Sequence, residues 1–220
     1  MSALPHAIQQ RQPGAQQRIL KAAAELFATE GIRVVGVDRL ISRASVTKAT
    51  LYKHFGSKDR VVCEYLSAVA QEHYAALERI MAEAATPRAA LAALAESLLA
   101  TTAPDGTGRE NAASRPNELG LRGSLLVNAA VEFTDPEHPV RIIIASHYSA
   151  LTQQFHGLVR QLGHARPADA IDDLMITYIG ALTWGSIAGL GAAAQACRRG
   201  FDRVCDEALL PAARAVELSE

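Results

Sequence analysis

The chain has 220 residues, of which 49% are apolar and only 5% aromatic; this suffices for a core, and frequent alanine without alternating apolar runs argues against a sheet. Its 22 basic and 23 acidic residues nearly cancel, yet 8 Lys or Arg face 3 Asp or Glu up to position 57, and 14 face 20 beyond it. A basic head on an acidic body is the asymmetry expected when one end meets phosphates and the other does not. The cysteines Cys63, Cys197 and Cys205 are odd in number and lack metal-ligand spacing, which argues against a disulfide framework and fits free thiols in a reducing cytoplasm.

Met1 to Gly14 is rich in Gln and interrupted by Pro5 and Pro13. It lacks the apolar centre of a signal peptide and reads as a disordered arm over residues 1–14, whose Arg11 could reach a minor groove. Ile19, Ala23, Leu26 and Phe27 recur at helical spacing, and Gly31 sits where this first helix needs a left-handed stop. Val37, Leu40, Ile41 and Ala44 give a second helix, Asp38 to Ala44, its buried side, with Asp38 placed to cap it or to favour its dipole. After a break at Ser45 and Val46, Thr47 can cap a third helix, Lys48 to Phe55. Its Leu51 and Phe55 point inward, while Lys48, Ala49, Tyr52 and Lys53 remain outward. The outward set offers cations and hydroxyls for phosphates, and a small residue where bulk would prevent close approach. Residues 15–60 thus read as a three-helix, helix-turn-helix DNA-binding domain.

The segments Leu26-Phe27, Gly31, Thr47-Lys48-Ala49-Thr50-Leu51-Tyr52-Lys53-His54-Phe55 and Ser57-Lys58-Asp59 resemble the amino-terminal domain of the TetR (TetR/AcrR-type) family of transcriptional regulators. The likeness covers Gln16 to Leu66. It implies that Thr47, Lys48, Ala49, Thr50, Tyr52 and His54 face DNA and that Lys58 meets a phosphate. Two departures stand out: Ser45 occupies a turn position where the family usually has Gly, at a cost of about 1 kcal/mol if its backbone angle is positive. Gly36 stands where Ser or Thr is common, removing one phosphate contact or cap.

Residues 61–220 read as a helical effector-binding and dimerisation domain. Lys58 to Ala85 reads as a long joining helix and Pro87 to Ala100 as a short amphipathic one, followed by a mobile loop from Pro104 to Gly120. Helix resumes from Leu121 to Phe133; Asp135-Pro136-Glu137-His138-Pro139 starts another that runs to Leu162 and stops at Gly163. Ala168 to Ala196 and Phe201 to Val216 complete the set, Pro211 bending the last. Gly123 to Phe133 with Asp135 to Val140 resembles the carboxy-terminal domain of one TetR subgroup, in which Cys often stands where this chain has Ser124. Leu174 to Cys197 holds no charge over 24 residues, long enough to cross a bilayer. A stripe of Ala181, Gly185, Ala188 and Ala192 also suits close helix approach in water. The resemblance implies a four-helix bundle of paired long helices across a twofold axis, and no membrane.

Chemistry beyond DNA reading is sparse. His138, His147, His156 and His164 are separated by eight or nine residues, so no two fall one helical turn apart as a zinc site on one helix requires. Gly185-Ser186 with Gly189 and Gly191 follows no strand, which argues against a nucleophile loop. No metal, cofactor or catalytic residue is expected. Ser124, Asn128 and Glu132 share one stripe of an apolar helix; they serve either inter-helix hydrogen bonding or an effector pocket. The pocket reading takes Asn128, Glu132, Tyr148, Phe155 and Trp184 as ligand-binding residues. The sequence therefore predicts an all-α, cytoplasmic, homodimeric regulator that binds a double-stranded DNA operator. It is expected to act as a repressor released by a small-molecule effector. Two alternatives stay open: a helical enzyme or ligand-binding protein with an incidental basic head, and an activator or architectural protein without a ligand.

Overall fold

The computed structural model describes residues 14–100, 119–120 and 123–209, which form nine α-helices and one two-residue hairpin. All of the expected amino-terminal arm but Gly14, nearly all of the loop expected from Pro104, and Pro211 lie outside the described residues.

Helix α1, Ala15–Glu30, begins where Gln17 Oε1 accepts the Gly14 N–H (3.3 Å) and buries Ile19, Ala22, Ala23, Leu26 and Phe27. It ends at Gly31, whose φ of 96° lies where side chains are disfavoured and whose N–H donates to Phe27 O. Helix α2, Val37–Ala44, starts one residue earlier than the sequence suggested: Gly36 is the N-cap, without a side-chain bond. Asp38 therefore sits in the first turn, where its charge opposes the positive end of the dipole, and does not cap. Ser45, closing α2, has φ 53° and ψ 51°, and it is the one non-glycine residue of positive φ among the described residues. The strain expected from serine at a glycine position is thus present in the backbone.

Thr47 accepts the Thr50 N–H to start α3, Lys48–Phe55, and Ser57 accepts the Arg60 N–H to start α4, Lys58–Glu83. Helix α5, Pro87–Ala100, rides on α9 (Leu190–Glu207), with Arg88 pairing both Asp202 and Asp206. Helix α7, Pro139–Leu162, has proline in its first turn and Gly163 at φ 66° as its stop, as the sequence indicated, and His138 is its N-cap.

Two expectations for the body need correction. The helix placed from Leu121 begins at Leu125, because β1 (Leu119–Gly120) and β2 (Gly123–Ser124) pair antiparallel before it. Ser124 is not on a helical stripe: it caps α6, Leu125–Glu132, by accepting the Val127 N–H (3.1 Å). Gly123 has φ +89°, and a Cβ there would lie 3.1 Å from Ser186 Cβ. The second correction concerns the uncharged run, which is cut at Gly189 (φ 86°) into α8, Pro167–Ala188, and α9, Leu190–Glu207. No helix among the described residues is long and apolar enough to cross a membrane. The small residues of that run serve this hairpin first: a Cβ on Gly185 would meet Leu190 Cδ2 at 2.6 Å, so Gly185 admits the chain's own α9.

Two apolar clusters hold the fold. One joins α1 to α3 with the first turns of α4, with α6 through Leu125, Leu126 and Ala129, and with Phe133, Val140 and Ile144. The other packs Leu77 and α5 against Leu151, Phe155 and Leu158 of α7, and against α8 and α9.

Candidate nucleic-acid interface

Helix α3 presents two unlike faces. Leu51 and Phe55 are buried in the first cluster, while Thr47, Lys48, Ala49, Tyr52, Lys53 and His54 are exposed and Thr50 is half-buried. This division follows the spacing seen in the sequence. Thr47 Oγ1 lies 2.8 Å from Thr50 Oγ1, so the two hydroxyls are held together at the amino-terminal end of the helix. Lys48 Nζ is 3.9 Å from Asp38 Oδ1, but both side chains are largely exposed, so the ammonium can exchange that partner for a phosphate at small cost. Ala49 sits between these groups with no bulk. Neighbouring cations are already engaged: Arg39 pairs with Glu30, and Arg43 with Glu25. The Glu30 carboxylate, accepting from the Arg39 guanidinium, raises that group further above its ordinary value.

Lys58 is placed differently from the rest of the expected DNA-facing set. Its Nζ donates to Ile32 O (2.7 Å) and Arg33 O (3.4 Å), the two carbonyls at the turn after α1. Burial lowers the pKa of this ammonium, against the raising effects of Asp59 and Glu132.

The structure does not gather the five expected ligand-binding side chains in one place. Asn128 and Glu132 line a small cleft of about 160 Å³ between α6 and the head, together with Phe27, Gly31, Ile32, Leu125 and Val131. Phe155 is fully buried in the second cluster, edge-on to Tyr178 and Phe201. Tyr148 is half-buried where the two clusters meet, and Trp184 is 48% exposed on α8. The physical reason is that Asn128 and Glu132 fall on the side of α6 that turns to α1, whereas Phe155, two turns beyond Tyr148 on α7, packs into the second cluster.

Reading from the sequence missed a polar chain in the body. His73 of α4 lies between His147 of α7 (Nδ1···Nε2 3.0 Å) and Tyr178 of α8 (Nε2···Oη 2.7 Å), its ring parallel to the tyrosine at 5.9 Å. A signal existed: His73 stands between Val69 and Leu77 on the buried stripe of α4. Nothing like a metal site accompanies it, since no group of three or more His, Cys, Asp or Glu side chains able to hold an ion occurs among the described residues.

A short helix buried by two supporting helices on one side and exposing hydroxyls, cations and an alanine on the other defines a helix-turn-helix DNA-binding protein. The family model for bacterial regulatory proteins of the tetR family matches residues 19–64. The HTH-type transcriptional repressor KstR2 of Rhodococcus jostii is 33% identical over 81 residues, covering 37% of this chain and 40% of the relative. The HTH-type transcriptional activator FasR of Mycolicibacterium smegmatis is 41% identical over 56 residues, 26% of this chain and 24% of the relative. The chain thus spans less than half the length of these curated relatives. A TetR-family transcriptional regulator from Streptomyces coelicolor superposes with a TM-score of 0.76 at 27% identity, over 88% of this chain and 95% of that one. A protein from Saccharomonospora viridis solved in complex with choline shares the fold at a TM-score of 0.65 and 19% identity, over 87% and 95% of the two chains. The amino-terminal part of the chain thus matches the tetR family's DNA-binding domain, and the whole described fold is similar to that of TetR-family transcriptional regulators.

Proposed function

We propose that this regulator is a cytoplasmic, homodimeric, non-enzymatic repressor that reads its operator through Thr47, Lys48, Ala49, Thr50, Tyr52, Lys53 and His54 and leaves it when a small molecule occupies the body. The observation that carries the reading is the division of α3, with Leu51 and Phe55 buried, Thr50 half-buried, and Lys48, Ala49, Tyr52, Lys53 and His54 exposed. Lys58 acts from within, fixing the turn before α2. The curated relatives include both senses, KstR2 a repressor and FasR an activator, and the repressor sense is our proposal.

Support for a dimer comes from α8, which exposes Ile176 (71%), Trp184 and Ile187 (72%) at helical spacing, and from Ile142 exposed on α7. From Ile176 to Ile187 this face carries no charge, with Asp172 and Asp173 at its border one turn earlier, and such a stretch suits a second copy through an isologous contact. For the effector, a neighbour of the same fold carries choline. Aromatic and polar groups come together in the body around Tyr148, Phe155 and the His73–His147–Tyr178 chain; Asn128, Glu132 and Trp184 stand apart from it.

The test begins with selection of bound duplexes from a genomic fragment pool. Lys48→Ala should weaken binding of the selected duplex by about tenfold, and Ala49→Glu by about a hundredfold or more, because it sets a carboxylate against the phosphates. A chain that selects no duplex, or that binds its duplex equally well with both changes, overturns the proposal.

A further inference from the structure

The turn between α1 and α2 is held from two sides by opposite charges. On one side the Glu132 carboxylate, at the last residue of α6, accepts the N–H of Ile32 (3.2 Å) and the N–H of Arg33 (2.6 Å). On the other the Lys58 ammonium, at the first residue of α4, donates to the carbonyls of the same two residues (2.7 and 3.4 Å). Successive amides converging on a carboxylate form an anion-binding concavity, and charge-assisted bonds of this length are the strong ones. The Arg33 guanidinium also lies over the Phe133 ring, 5.3 Å from its centre, and Phe133 in turn packs against His138 at a tilt of 39° (4.6 Å). His138 Nε2 is 3.9 Å from the Asp59 carboxylate in the first turn of α4. The corner between α6 and α7, Glu132 to His138, therefore touches the turn after α1 and the first turn of α4.

We propose that Glu132 is a positioning residue for operator binding, its two bonds to Ile32 and Arg33 setting the angle at which each reading head is carried on its body. The idea rests on the DNA-reading role of α3 given above. Its geometry is unforgiving: a slide of α6 by one residue, about 1.5 Å, or a small rotation about its axis takes the carboxylate off both amides. The head would then be oriented by α4 alone. In a dimer the separation and twist of the two third helices depend on this angle, and one base pair of spacer changes half-site placement by about 3.4 Å and about 34°. A loosened head tolerates such changes; a seated one does not.

The experiment uses the full-length chain, the selected operator duplex, duplexes with one base pair added to or removed from the spacer, and a duplex carrying a single half-site. The parent should prefer its own spacer by about tenfold. Glu132→Ala and the isosteric Glu132→Gln should reduce that preference to about twofold, with half-site affinity within about twofold of the parent and faster hydrogen exchange at the Ile32 and Arg33 amides. Glu132→Asp, which keeps the carboxylate on a shorter arm, should restore part of both. If Glu132→Ala fails to fold, Glu132→Gln carries the test. An unchanged spacer preference overturns the proposal, and so does an equal loss of half-site and full-site binding, which marks a mere brace. Failure to select any duplex overturns the DNA-reading role and this proposal with it.

Discussion

Head and body bury apolar side chains in the same way but expose and enclose opposite chemistry. The head's interior, from Ile19 and Leu26 to Leu40, Leu51 and Phe55, is apolar but for Tyr65 of α4 edge-on to Phe27, and α3 turns hydroxyls and cations outward. The body inverts this: α7 and α8 expose Ile142, Ile176, Trp184 and Ile187, while His147 and Tyr178 are enclosed with His73. The difference teaches what each part awaits. A hydrated polyanion suits the head, and an apolar surface suits the outside of the body.

The sharpest way to break this contrast is to make the body's exposed face resemble the head's. Ile176→Lys with Ile187→Lys should raise the dimer dissociation constant by about a hundredfold or more, since both charges would recur across a twofold axis. Sedimentation read alongside operator titration checks it, with half-site binding kept; a stable dimer carrying both lysines would remove this face from the interface.

A smaller effect should follow from making the body's interior resemble the head's. Tyr178→Phe deletes the hydroxyl 2.7 Å from His73 Nε2 and leaves a ring nitrogen without that partner, which costs about 1 to 3 kcal/mol. Chemical denaturation of the protein at fixed concentration measures it. Equal stability would mean that the chain of rings contributes nothing net.

The smallest change belongs to the head. Ser45 holds φ 53°, so Ser45→Gly should relieve left-handed strain and raise stability by up to about 1 kcal/mol, less what glycine adds to unfolded-state freedom. A lowered midpoint in the same denaturation measurement would show that the serine is comfortable there.

The head was legible because each signal in it is local. The helix stop at Gly31, the Thr47 cap and the inward pair Leu51 and Phe55 depend on neighbours a few positions away, and so does the strain at Ser45. In the body the proline-led start of α7 and its stop at Gly163 were readable for the same reason. The contacts that place the body's side chains join residues about 100 apart, and periodicity does not carry them. Glu132 has the spacing of a pocket residue on α6, yet its partners are Ile32 and Arg33, 100 and 99 positions earlier. Gly189 lies among several glycines in an uncharged run; only tertiary packing of Gly185 against Leu190 selects it as the break.

The three enclosed rings have one further property. With both imidazoles neutral, each ring carries a single N–H, and the two contacts of His73 can be satisfied together in only two ways. Either Tyr178 donates to His73, His73 donates to His147, and His147 carries its proton on Nδ1; or His147 donates to His73 and His73 donates to Tyr178, whose own proton then turns elsewhere. No single ring can change tautomer without the others following. The body thus encloses a proton order that is shared by α4, α7 and α8 and has two settings, so a nitrogen shift recorded on either histidine reports the state of both.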